Sequence, residues 1–295
     1  MRVNPNPLPD LLSAISQTQQ QINTDLEEIA SGQSINTPSD NPAGATMLVR
    51  IAGKTAEADQ FQRSASGLSG EMQNADSALN SVITVLQRAI SLGTEGANGT
   101  LNDSDRAALA AEVQGIQSQL VSMANLSYQG NFVFAGTATQ TAPYVLDSAS
   151  PSGVRYVGNS NVNTVTVGDH LTVQANLPGS QLFSSAGTDV FQAVQDLVTG
   201  LNNNANIGTA VTEVSNAYNH ISAQRVFFGN AINQLNAQQT FLNDETTQLA
   251  QQQNDVGGAD LSKVISDLVN AQTSRQATLQ AVAQTQQTNL FNYIK

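Results

Sequence analysis

Large apolar residues open the chain in alternating steps of four and three: Leu8, Leu12, Ile15, then Gln19, then Ile22, Leu26 and Ile29. A mean step of about 3.5 residues lays a single stripe down one helix and is the spacing of a coiled-coil seam. Gln19 is a polar interruption in it. The segment from Gly32 to Asp40 predicts a break, with Pro38 driving Thr37 out of the helical region. Asn41 and Pro42 then supply a capping side chain and a first-turn proline for a second helix. That helix is expected to reach about Leu92, with an interruption near Gly67 and Gly70. Its clearest seam is Leu68, Met72, Ala75, Leu79, Val82, Leu86 and Ala89, and Gly93, Gly96 and Asn98-Gly99 read as the turn that follows. Asn102 caps a third helix whose first turn holds Asp103 and Asp105, where the helix dipole favours acids, and whose seam is Leu109, Val113, Ile116, Leu120 and Met123.

From about Tyr128 the period changes to two. Phe132 with Phe134, Val165 with Val167, and Leu171 with Val173 alternate between turn-forming prolines and glycines, which predicts short strands. Helix returns near Thr188 in a short piece carrying Val190, Phe191, Val194, Leu197 and Leu201. A long helix rich in Gln and Asn follows from about Thr209 to Asn254, and Gly257-Gly258 breaks it. Asp260 caps a last helix with the seam Leu261, Ile265, Leu268, Gln272, Arg275, Leu279, Val282, Gln286 and Leu290.

The expected fold is mainly α: a nested long-helix coiled-coil bundle with a small β-rich inserted domain. Three parts follow from the breaks: residues 1–44 with 258–295 as a terminal-helix part, 45–136 with 185–257 as a long-helix rod, and 137–184 as a β-rich outer part. Polar residues within the terminal seams (Gln19, Gln272, Arg275, Gln286) weaken them and set register rather than stability. The ends are therefore expected to order fully when packed against other subunits, although heptad spacing alone fits an intramolecular coiled coil equally well.

Charge narrows the function classes. The chain has 11 basic and 23 acidic residues, a formal charge of −12, and not one Lys or Arg between Arg155 and Arg225. A nucleic-acid binder needs a basic face to displace counterions from phosphate, and none is present. No apolar run is long enough for a spanning helix, so no membrane insertion is expected, and no h-region follows the N-terminus. With no cysteine, disulfides and Cys-based zinc sites are excluded.

Candidate chemistry is thin. His170 and His220 lie fifty residues apart in unlike contexts, whereas a metal site needs convergent ligands. The neighbouring acids Glu27-Glu28 and Asp244-Glu245 point to different helix faces and form no dyad. The glycines between Gly130 and Gly136 lack the order of a phosphate loop. No catalytic residue, cofactor or metal site is expected, and an enzyme is not the reading.

The segment Ile29-Ala30-Ser31-Gly32-Gln33-Ser34-Ile35-Asn36-Thr37-Pro38-Ser39-Asp40-Asn41-Pro42-Ala43-Gly44-Ala45 resembles the N-terminal signature of the flagellin superfamily. There a seam helix ends in Ser-Gly, followed by Ile-Asn, a Pro-x-Asp turn and a Pro-Ala-Gly-Ala helix start. Within the superfamily, Tyr128-Gln129-Gly130-Asn131-Phe132-Val133-Phe134-Ala135-Gly136 resembles the run that leaves the third helix in the hook-associated junction branch, and Leu290-Phe291-Asn292-Tyr293-Ile294-Lys295 resembles that branch's end. The resemblance covers roughly residues 1–137 and 188–295. The cluster Asn4-Pro5-Asn6-Pro7-Leu8-Pro9 departs from it and delays the helix start.

The resemblance implies a flagellin-like structural subunit whose terminal helices form an inner tube, with the rod around it and the β-rich part outward. The implied partners are other copies of itself in a ring or helix, the first hook-associated junction protein, flagellin, and an export chaperone. The implied location is the extracellular flagellum, reached from the cytoplasm by type III export. Filament flagellin itself, or a secreted coiled-coil structural protein, is the alternative.

Overall fold

The computed structural model describes the backbone of residues 8–185 and 187–293, with side chains through residue 285. In chain order the elements begin with α1 (Leu8–Ser31), α2 (Pro42–Gly96) and α3 (Asp103–Ala124). Four two-stranded antiparallel hairpins follow: β1 (Ser127–Tyr128) with β2 (Asn131–Phe132), β3 (Tyr144–Leu146) with β4 (Val154–Tyr156), β5 (Thr164–Gly168) with β6 (Leu171–Gln174), and β7 (Ser184–Ser185) with β8 (Thr188–Asp189). A single turn, α4 (Gly179–Leu182), precedes β7, and α5 (Val190–Asn203), α6 (Ile207–Gly257) and α7 (Leu261–Tyr293) complete the chain. The fold is thus mainly α with small antiparallel pieces in the middle, as the period change predicted.

The chain divides into two compact units. One holds residues up to 57 and from 245 onward; the other runs from Ala58 to Asp244. In the second unit one core joins α2, α3, α5, α6 and the β-rich segment. Along α2 the predicted seam from Leu68 to Ala89 is buried throughout, and the row continues to Ala65 and Ala58 on one side and to Leu92 on the other. It does not break at Gly67 or Gly70, and it runs past Leu92 to Gly96. Gly70 is a contact position: a methyl group there would meet the Tyr128 hydroxyl at 2.5 Å. Gly93 and Gly96 are likewise the small members of the same row, where Leu197 and Leu201 of α5 approach the helix. Glycines read as a turn are therefore close-packing sites.

The predicted cap of α3 forms: Asn102 accepts a hydrogen bond from the Asp105 amide at 2.8 Å. Asp189, which the sequence pattern did not single out, caps α5 through the Gln192 amide at 2.9 Å. The long helices α2 and α6 are also clipped together by Arg225, whose guanidinium donates to both oxygens of Asp76 at 2.8 and 2.9 Å and to Asn80 at 2.9 Å.

The β-rich segment shares the core of the helices. Phe134 is fully buried edge-on against Phe183, at 5.5 Å between ring centroids, and Tyr144 bridges Phe183 and Phe191 at 5.7 and 4.9 Å. The alternation of Phe132 with Phe134 is not one strand: β2 ends at Phe132, and Phe134 enters the core from a turn. Val165 and Val173 do pair across β5 and β6.

Glu71 on α2 is half-buried, and burial pushes its carboxyl above the usual glutamate range. Raised in the folded state, the group holds its proton to higher pH than in the unfolded chain, so stability falls as pH rises from the unfolded value through the folded one. Glu71→Gln should raise the melting temperature at pH 7 and leave it unchanged near pH 3.5, where both forms are neutral. Thermal unfolding at the two pH values measures this; an equal shift at both would mean that desolvation of the charge is not the cause.

Candidate assembly interface

In the unit formed by the chain ends, residues 31–45 connect α1 to the start of α2. Gly32 ends α1 in the left-handed region (φ +70°), where a side chain is disfavoured, and its amide closes the last turn on Glu28 O at 2.8 Å. Its carbonyl accepts from the Ala259 amide at 3.0 Å, the Ser34 amide donates to Gly257 O at 2.8 Å, and Gln33 bridges Gly258. The two breaks predicted from sequence are therefore hydrogen-bonded to each other. Asp40 folds the loop by accepting from the amides of Asn36 and Thr37 at 3.0 and 2.7 Å and from the Thr37 hydroxyl at 2.8 Å, bonds that hold its carboxyl below the usual aspartate range. Asn36 ties back to Gln33 O at 3.1 Å. Asn41 caps α2 through the Gly44 amide at 2.9 Å. Ile35 is buried, and a methyl group on Gly44 would sit 2.5 Å from its Cδ1. Ser31 bonds Gln33, Pro38 lies in the loop, and Pro42 and Ala43 open α2.

The terminal helices α1 and α7 pack on each other, but not along the predicted seams alone. In α1 the inward row is Leu11, Ile15, Thr18, Ile22, Asp25 and Ile29. Leu12 and Leu26 remain 55% and 49% exposed, while Leu8 and Gln19 are half-buried beside the row. In α7 the inward row is Val264, Leu268, Ala271, Thr278 and Val282, and Leu261, Ile265, Gln272, Arg275 and Leu279 are exposed, together with Val269. Ile265 is 51% and Leu279 46% exposed. The predicted single stripe is thus two adjacent rows, one closing the helix pair and one left open. Gln286 and Leu290 lie outside the residues whose side chains are described. The sequence reading missed Leu11, Asp25 and Val264 because Thr18 and Asp25 break the inward row of α1 with polar residues, so the offset by one position does not stand out.

The second group of signature residues lies in the other unit. Tyr128 sits on Gly70, and Gly130 turns the β1–β2 hairpin at φ +86°. The Phe132 amide donates to Thr139 O at 2.8 Å. Phe134 anchors the core, and Gly136 takes φ +71° directly against Asn159. The histidines stay apart: His170 is exposed, and His220 Nε2 lies 2.9 Å from Gln181 O. Among the described residues no group of three or more metal-ligating side chains converges, and no helix is long and apolar enough to cross a membrane.

Comparison with known proteins gives the family. Residues 9–139 match the bacterial flagellin N-terminal helical region, and residues 211–294 match the bacterial flagellin C-terminal helical region. Flagellar hook-associated protein 3 of Escherichia coli K12 is 26% identical over 295 residues, covering 91% of this chain and 92% of that protein. Flagellin of Listeria innocua is also 26% identical, but over 209 residues, covering 68% of this chain and 73% of that one. Among solved structures, a flagellar hook-associated protein from Vibrio parahaemolyticus superposes with a TM-score of 0.68 at 22% identity, over 74% of this chain and 100% of that chain. Hook-associated protein 3 from Legionella pneumophila gives a TM-score of 0.65 at 15% identity, over 71% and 98%. With both helical regions matched at the places where the signature residues build the connector and the long helices, the chain belongs to the flagellin superfamily of flagellar structural proteins.

Proposed function

We propose that this chain is the subunit that joins the flagellar hook to the filament. The observation that carries the reading is the end-to-end similarity to Escherichia coli hook-associated protein 3, which spans the middle segment as well as both helical regions. The flagellin relative from Listeria innocua is matched over a shorter part of the chain.

In this reading the division of labour follows the sequence. Residues 1–44 and 258–295 assemble, 45–136 and 185–257 form the rod, and 137–184 face outward. The assembling residues are the open row of Leu12, Leu26, Leu261, Ile265, Gln272 and Leu279, with Leu290 and Gln286 continuing it by spacing. Exposed apolar side chains at heptad spacing are what a coiled-coil partner buries. The partners are other copies of the chain, the first hook-associated junction protein on one side and flagellin on the other. Before export the chain is cytoplasmic and held by a chaperone; afterwards it lies outside the cell.

A strain lacking its own hook–filament junction subunit tests this. Expressing the chain there should restore attached filaments, and immunogold label should mark one band at the hook boundary. Label along the whole filament would identify filament flagellin instead. Free flagellin in the medium despite export of the chain would sink the junction role.

A further inference from the structure

The end of the α1/α7 pair nearest the connector is acidic. Residues 21–41 and 257–271 carry Asp25, Glu27, Glu28, Asp40, Asp260 and Asp267 against a single cation, Lys263. Beyond Asp267 the rest of α7 has no acidic residue, and Arg275 stands exposed on it without a carboxylate partner among the described residues. Asp40 and Asp260 are used locally, in the loop and in the α7 cap. Glu27, Glu28 and Asp267 form no ion pair among the described residues.

A second observation marks this end as unfinished. Asp25 is only 3% exposed; its Oδ1 accepts from Gln21 Nε2 at 2.8 Å, and its Oδ2 has no partner. A buried carboxyl with one oxygen unpaired is costly, and a nearby cation offsets that cost. Burial, Asp25, Asp40 and Asp267 together push the neighbouring Glu28 carboxyl up, and Lys263 only partly opposes them. This end thus carries six carboxylates and one cation.

We infer that the acidic end of the α1/α7 pair receives Arg275 of a second copy of this chain, with Glu28 and Asp267 as its acceptors. Within one chain the contact is out of reach, because eight helical residues separate Asp267 from Arg275 by about 12 Å. A neighbouring copy displaced along the pair by about that step brings its guanidinium level with the carboxylates. A guanidinium suits the place, since its five donors can satisfy two carboxylates at once. Charge polarity then fixes the direction and axial step of packing, which the open apolar row leaves free to slide. The inference rests on the reading of the terminal helices as the assembly surface, and it adds their register.

Charge exchange in the full chain separates the two. Arg275→Glu should weaken self-association about tenfold, as should Asp267→Arg, and the chain carrying both should recover to within about threefold of the original. The absence of native cysteine allows a direct check: a chain with Asp267→Cys and Arg275→Cys should oxidise to a ladder of linked copies, because the two positions are too far apart to bridge within one helix. No recovery in the double charge variant, together with no ladder, overturns the register. If Leu279→Asp blocks assembly while Arg275→Glu does not, the assembly surface stands and this contact falls. If Arg275→Glu spares self-association but detaches filaments, the cation serves a different flagellar subunit, and the second copy is wrong.

Discussion

Leu279→Asp is expected to leave the free chain folded and to abolish its incorporation into flagella. Leu279 is 46% exposed, so an aspartate there keeps its water in the monomer. Exposed substitutions of this kind move stability by about 0.5 kcal/mol or less. Assembly reverses the balance. Covering the remaining half of a leucine contributes about 1 kcal/mol, whereas burying a carboxylate without a partner costs several kcal/mol. A symmetric assembly repeats that difference at every subunit. Circular dichroism and the melting temperature of the purified variant should match the parent, while cells carrying it shed flagellin and bear no attached filaments. Ile265→Asp, on the same open row, should behave alike. Val264→Asp should differ: Val264 is buried inside the unit, so that change should unfold the helix pair itself. Normal filaments with Leu279→Asp would refute the assignment of the open row to assembly.

The contrast between Val264 and Leu279 is also where legibility in the sequence ended. Period and caps located every long helix, because four-three spacing and the Asn102, Asn41 and Asp260 caps are local properties of the chain. The seam of α2 was readable because its inward row is unbroken by polar residues. The terminal seams were not, because each helix carries two adjacent apolar rows and spacing counts them as one. Which row faces inward depends on the partner helix, a long-range fact. Glycine was misread for a related reason. Gly70, Gly93 and Gly96 lie in a helix because side chains from Tyr128, Leu197 and Leu201 need the room, and a contact from far along the sequence leaves no local mark. The connector was legible as a resemblance, and the structure supplies a physical reason for part of it: Gly32 turns the backbone, Asp40 folds the loop, Asn41 caps α2 and Gly44 leaves space for Ile35.

The same logic makes Gly136→Ala the most damaging single methyl expected in the Ala58–Asp244 unit. Gly136 sits at φ +71°, where an alanine costs about 1 to 2 kcal/mol. The added carbon would also collide with the backbone carbonyl of Asn159, the atom that accepts from the Tyr156 hydroxyl at 2.8 Å. Relieving the collision moves a small network. The Asn159 amide donates to Ala135 O at 3.1 Å, the Thr137 amide donates to Asn159 Oδ1 at 3.0 Å, and Tyr156 also reaches Phe134 O at 3.1 Å. Phe134 is fully buried against Phe183, so displacement passes from this turn into the aromatic core. A loss of about 3 kcal/mol or more follows from the strained backbone and from buried polar groups left unpaired. For a unit of this size that lowers the melting temperature by about 6 to 12 °C. Gly130→Ala is the internal control. It too has a positive φ, +86°, but nothing lies within 4 Å of the added carbon, so only the backbone part, about 1 to 2 kcal/mol, should be lost. Thermal unfolding of the two variants side by side decides the matter: equal losses would mean that the close approach of Asn159 contributes nothing, and that Gly136 is there for its backbone angle alone.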